Sequence, residues 1–249
     1  MRILFSEKPD WMPILQQAFA TEGGHTLGFA PLTTERIRDS DLVVPLTVPA
    51  LLALTPAQRD LLRDNPIPIP AADQVQLCDD KARLNRFFSE QGFGAHIPAM
   101  GVRDRYPFIL KRSQDVWGRH SHILRSPQEA QAFQQQLDDP AYFTQELVRG
   151  TVEYTTHLIR RRGQLVAEVT LAMQFPSDLF VKGPEKPVNQ RRLSTPHLPL
   201  LERMLAALDF EGLCCFNYKE RDGVPMVFEL NPRFGASLCK PFPAVVARL

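Results

Sequence analysis

The first part of the chain alternates short apolar runs with amphipathic stretches. Residues 2–5 read as a strand, 9–20 as a helix closed by Gly23 and Gly24, and 41–46 as a second apolar strand. Residues 51–62 have helical spacing, and Ile67-Pro68-Ile69-Pro70 reads as an extended edge leaving a small α/β lobe, with a boundary near Cys78. A helix then starts at Asp79, its acidic first turn complementing the helix dipole, and runs to about residue 91, where Gly92 and Gly94 stop it. Residues 108–112 form a strand, 113–121 a polar loop and 122–124 a short apolar run; Ser126-Pro127-Gln128-Glu129 caps a helix through Leu137. After 142–148 the pattern turns β-rich: 153–159, a basic turn at 160–163, then 165–173. A helix over 197–208 and two apolar runs, 213–218 and 226–230, complete it. The expected architecture is mixed α/β and α+β, in three parts: 1–77, 78–145 and 146–249.

Composition acts mainly by exclusion. At 249 residues the chain can bury the core of one enzyme built of two or three lobes. Lys plus Arg number 29 against 28 Asp plus Glu, so no global field draws it to nucleic acid or membrane, and any phosphate site must be local. The four cysteines, at 78, 214, 215 and 239, lack zinc-site or disulfide-framework spacing, which points to a reducing, cytoplasmic setting. The N-terminal run is too short for a signal peptide, and no apolar stretch approaches the roughly 18 residues that cross a bilayer.

The richest chemistry lies in residues 227–233. Strand alternation puts Glu229 and Asn231 on one face and Phe228 and Leu230 on the other. Two hard oxygens projecting together at a strand end suit magnesium that bridges to phosphates, and Arg233 just beyond can hold a phosphate or carboxylate. The alternative is an amphipathic strand with a solvated polar face. Lys111 ends an apolar strand and points into a polar loop; Lys81 opens a helix. Each reads equally as a solvated surface lysine when taken singly.

Taken together, the motifs are specific. Asp80-Lys81 opening a helix, Gly94 to Pro98, Pro107 to Lys111, Gln145 to Tyr154 and Glu229-Leu230-Asn231-Pro232-Arg233 stand in the order and spacing of ATP-grasp enzymes. Over roughly residues 75–240 the chain resembles the superfamily of biotin carboxylase, carbamoyl-phosphate synthase and D-alanine-D-alanine ligase. The resemblance implies an ATP-grasp fold, a small N-terminal α/β lobe followed by two α+β lobes that sandwich ATP. It implies that Lys81 and Lys111 contact ATP phosphates, that Glu146, Leu147 and Val148 form the hinge against adenine, and that Glu153 holds the ribose hydroxyls. Glu229 and Asn231, with Asn217, would bind Mg2+, and Arg233 would stabilise the transferred phosphoryl group or an acyl phosphate. The implied activity is an ATP-dependent ligase that activates a small carboxylate and joins it to an amine or peptide acceptor, with a homodimer left open. The alternative is a regulatory ATP-binding module without turnover.

Two departures stand out. Relatives commonly carry an acidic first metal ligand five residues after a glycine, where Gly212 here leads to Asn217, an uncharged amide. An odd-length loop over 221–225 would place Asn217 opposite Glu229, whereas a two-residue Asp222-Gly223 turn would not; the longer loop is expected. The phosphate-covering loop, glycine-rich in many relatives, spans 113–121 with Gly118 alone, leaving Arg119 and His120 as substitute charges or as part of a mobile surface loop. Of Cys214 and Cys215 at least one reads as a core thiol, His120 and His122 read as solvated, and Arg160 to Arg162 as a solvated hairpin tip. Residues 174–195, without regular pattern, read as a loop covering the acceptor.

Overall fold

The computed structural model describes residues 1–20, 23–116 and 118–249. Three sheets organise it. Strands β1 (Arg2–Phe5), β2 (Thr26–Phe29) and β3 (Leu42–Val44) form a parallel sheet in the order β2-β1-β3. Strands β4 (Phe108–Arg112), β5 (Ser121–Leu124) and β6 (Tyr142–Glu146) form an antiparallel sheet with β4 in the centre. The largest sheet is antiparallel, in the order β11-β10-β7-β8-β9, from β7 (Val152–Arg161), β8 (Gln164–Gln174), β9 (Asn189–Leu193), β10 (Gly212–Arg221) and β11 (Val224–Asn231).

The large sheet has two unlike faces because its strands alternate. On the back, Leu158, Cys214, Phe216, Tyr218, Val227 and Leu230 are buried against Leu84 and Phe88 of helix Lys81–Phe88 and Leu201, Met204 and Leu205 of helix Leu198–Ala207. On the front, Glu153, Thr155 and His157 of β7 and Cys215, Asn217 and Lys219 of β10 are polar or reactive yet buried. Further along the same face Ile159, Val169, Leu171 and Leu213 are apolar, and the N-terminal lobe covers them with Ile3 and Phe5 of β1 and with Trp11 and Leu15 at the start of the helix that follows. Strand β4 divides likewise: Phe108 and Leu110 pack on Leu124 and Leu137, while Ile109 and Lys111 face the large sheet across a cavity.

Sequence periodicity misses elements whose burial depends on distant partners. Strand β2 is a half-buried edge strand interrupted by Gly28, and helix Ala72–Asp79 precedes the one expected at Asp79. That next helix is Lys81–Phe88, with Asp80 capping it by accepting from the Arg83 N–H. The single helix expected over 51–62 is two short ones, Val48–Leu52 and Pro56–Leu61, because Thr55 caps a new start. The helix expected through Leu137 breaks at Phe133 into Pro127–Ala132 and Gln134–Asp138. Residues 174–195 are not all irregular, since β9 lies within them as an edge strand. Arg160 is not solvated: it is buried, donating to the Phe210 carbonyl and pairing with Glu211 at 3.2 Å.

The β10–β11 hairpin corrects the expected loop. Arg221 pairs with Val224, so the turn is the two-residue Asp222-Gly223, both with positive φ as a tight hairpin turn requires. Asn217 nonetheless pairs with Glu229, because Tyr218 pairs with Val227 and Phe228 is an extra, bulged residue. The bulge also breaks the alternation, so Phe228 lines the same cavity as Glu229 instead of sharing Leu230's face.

Gly212 begins β10 with φ +115°, and a Cβ there would lie 2.5 Å from the Pro68 carbonyl oxygen and 2.9 Å from the Pro70 ring. Gly212→Ala should therefore cost about 2 kcal/mol or more, read as a lower urea midpoint at unchanged m-value; an unaltered midpoint would show that the 68–70 segment yields freely.

Candidate functional site

The polar end of the front face, strand β4 and the segment 146–148 enclose a cavity of about 450 Å³. All ten candidate residues line it: Lys81, Lys111, Glu146, Leu147, Val148, Glu153, Asn217, Glu229, Asn231 and Arg233. They come from both antiparallel sheets and from the start of one helix, so the tertiary fold alone brings them together. The floor is set by register, in which Thr155, Asn217 and Glu229 stand side by side across three strands and His157, Cys215 and Asn231 form the next row.

Glu229 is the electrostatic centre. One carboxylate oxygen lies 3.3 Å from Lys81 Nζ, and the other accepts from Asn217 Nδ2 at 2.9 Å. Burial pushes its carboxyl up, but Lys81, the Asn217 hydrogen bond and Lys111 together outweigh this and hold it down at about 2. Lys81 Nζ also donates to the Asp115 carbonyl at 2.8 Å, and its backbone N–H to the Ser113 carbonyl, which fastens the 113–121 loop to the helix start. Lys111 is buried, held by Gln145 Oε1 at 3.0 Å with its ammonium 4.9 Å from the Phe228 ring centroid. Burial lowers its pKa to about 8 against the pull of Glu229.

Two lysines unforeseen in the sequence share the cavity. Lys182, from the segment between β8 and β9, lies 2.7 Å from Glu153 Oε1 and donates to Thr155 Oγ1 at 2.7 Å and Asn217 Oδ1 at 3.2 Å. Burial pushes its pKa down, but its acidic neighbours, Glu153 foremost and Glu229 with it, together raise it. Lys219 donates to the Val148 carbonyl at 3.1 Å and lies 3.7 Å from the Phe180 ring centroid, with burial lowering its pKa to about 8. Lys219 was legible as the alternate neighbour of Asn217 on one strand. Lys182 had no local signal, because no periodicity governs a loop.

The remaining candidates occupy the rim. Glu146 accepts from Arg221 at 2.8 Å and from the Ala99 N–H, tying the 146–148 segment to the β10–β11 hairpin. Arg233 donates to the Phe234 carbonyl and lies 6.0 Å from the Trp11 ring centroid, beside the N-terminal lobe. Asn231 makes no side-chain hydrogen bond among the described residues. Cys214 is a core thiol, whereas Cys215 faces the cavity, its thiol pushed up to about 12 by burial. His157 is buried and kept neutral by burial, its pKa lowered to about 3, and its Nε2 lies 2.8 Å from Ser237 Oγ.

Two loops roof the cavity. Gly118, at φ +61°, comes so close to residues 181–182 that a Cβ on it would lie 2.9 Å from the Lys182 carbonyl oxygen. Of the 113–121 loop, Trp117 lies outside the described residues; Arg119 and His120 are exposed and do not line the cavity. His122 is not simply solvated, since its ring lies 4.5 Å from that of Phe133.

The low pKa of Glu229 sets a sign for acid stability. Its carboxylate stabilises the fold fully above about pH 4.5, and this contribution is lost as pH falls through about 2. The melting-temperature gap between the native chain and Glu229→Gln should therefore narrow between about pH 6 and pH 2.5; a constant gap would mean that Glu229 is not held ionised by its neighbours.

No family model and no curated protein matches the sequence. Solved structures do resemble the chain. D-alanine–D-alanine ligase from Bacillus anthracis is 13% identical with a TM-score of 0.61, covering 99% of this chain and 91% of that one, and its form complexed with ATP gives 0.57 over the same shares. Phosphoribosylamine–glycine ligase from Thermotoga maritima is 14% identical, covers 96% and 71%, and reaches 0.66. A D-cycloserine synthetase is 14% identical, covers 99% of both chains, and reaches 0.62. At such identities the likeness is one of fold.

Proposed function

We propose, for a chain that has the ATP-grasp fold, that it is an ATP-dependent ligase which activates a small carboxylate as an acyl phosphate and joins it to an amine or peptide acceptor. The observation that carries this reading is the convergence of Lys81, Lys111, Glu153, Glu229, Asn231 and Arg233, distant in sequence, on one cavity. ATP would lie between the lobe at 78–145 and that at 146–249. Adenine would rest against the Glu146, Leu147 and Val148 segment, the ribose hydroxyls on Glu153, and the phosphates beside Lys81 and Lys111. Glu153 is at present ion-paired with Lys182, so ribose binding must loosen that contact.

Magnesium would be held by Glu229 and Asn231. The donor set fits: an ionised carboxylate and an amide whose side chain makes no hydrogen bond among the described residues, both in the cavity. When bound, the ion offsets charge on the phosphate oxygens. The protein's own groups do the rest. Lys81 and Lys111 orient the triphosphate and stabilise the charge spread over the moving phosphoryl oxygens. A substrate carboxylate oxygen bonds to the γ-phosphorus as the bond to ADP breaks; the amine then bonds to the acyl carbon and phosphate leaves. Arg233, on the cavity rim, would hold the acyl phosphate. The roof formed by Gly118 and the 181–182 segment would limit the access of water to the activated acid from that side. Four buried free thiols suit a reducing, cytoplasmic compartment.

Coupled measurement of ADP release with Mg-ATP, over a panel of amino acids and small carboxylates, should show release that needs both an acid and an acceptor. Lys111→Ala should lower that rate by about a hundredfold or more. Nucleotide binding with no ADP release under any acid would instead support the regulatory module, a reading that the uncharged Asn217 favours. Mg-ATP should also raise the melting temperature; no rise at millimolar nucleotide would sink both readings.

A further inference from the structure

Asn217 was expected to share a metal with Glu229, yet both ends of its amide already have partners. Its Nδ2 donates to Glu229, and its Oδ1 accepts from Lys182 at 3.2 Å and from Thr155 Oγ1 at 3.2 Å. The amide orientation is set by charge: reversed, it would turn its oxygen toward a carboxylate and its N–H toward an ammonium. An aspartate here would put two carboxylates about 3 Å apart, an arrangement that needs a cation between them or loses one charge to a proton. Asparagine closes the same gap with a hydrogen bond and needs no ion.

The cation is instead supplied by the chain. An ammonium has three N–H donors, and Lys182 meets three oxygens, those of Glu153, Thr155 and Asn217. Its side chain reaches this place from the roof segment. By contrast, the Asn231 side chain, two residues along the same strand from Glu229, makes no hydrogen bond among the described residues. Both Glu229 oxygens already have a donor, Lys81 and Asn217, and would take a metal as a further partner beside Asn231, whereas the oxygen of Asn217 already holds a lysine.

We propose that the Lys182 ammonium takes the place of a second divalent ion, so that this chain binds nucleotide with a single divalent ion, held by Glu229 and Asn231. This rests on the nucleotide reading above. The replacement has a chemical consequence. A divalent ion beside the phosphates could be drawn from solution and lost to it, whereas the ammonium is tethered to the roof and arrives only when the roof is in place. Charge neutralisation at that position is therefore coupled to closure over the cavity.

The test counts ions rather than turnover. With Mn2+ and a saturating non-hydrolysable ATP analogue, electron paramagnetic resonance of free Mn2+ should report one bound ion per bound analogue in the native chain. Two ions per analogue would overturn this inference alone; no analogue binding would overturn the nucleotide reading and this inference with it. Lys182→Ala should keep the count at one and weaken analogue binding by about tenfold or more, whereas undiminished affinity would show that the ammonium does not serve the phosphates. Asn217→Asp combined with Lys182→Ala should raise the count to two, and a count of one in that folded variant would remove Asn217 and Lys182 as the cause.

Discussion

The site rests on mutual neutralisation between Glu229 and the lysines around it. A carboxylate taken from water into a protein front face would protonate, and ammonium groups beside it would lose their protons, unless each sustains the other. The measure of success differs from group to group. Glu229 gains more from Lys81, Asn217 and Lys111 than burial costs it, whereas Lys111 and Lys219 lose more to burial than their acidic neighbours return. The result is a cavity with charge in excess of its own needs at the lysines, a chemical complement to a polyanion.

That balance is a property of strand registers. A sheet face can be polar at one end and apolar at the other only if something covers the apolar end, and here the N-terminal lobe does so with Ile3, Phe5 and Trp11. The back face, packed on Leu84, Phe88, Leu201 and Met204, anchors the strands so that their front residues keep fixed neighbours. Stability is invested on one side of each strand and chemistry placed on the other.

Much of this was legible in the sequence. The candidate residues could be named because motifs keep their spacing within single strands, and all of them line one cavity. The Asn217–Glu229 pairing was foreseen for the wrong reason, since a bulge at Phe228 makes up the residue that the short turn leaves out. Bulges leave little compositional trace, and neither does a loop lysine such as Lys182, whose partners Glu153, Thr155 and Asn217 lie on two other strands. Edge strands β2 and β9 escaped for a related reason: with one face or edge in solvent they need no strong hydrophobic pattern.

The contact between Gly118 and residues 181–182 carries a kinetic meaning. Because the two loops meet over one side of the cavity, how readily they part limits how readily its lining exchanges with solvent on that side. A side chain at position 118 would hold them apart and quicken that exchange.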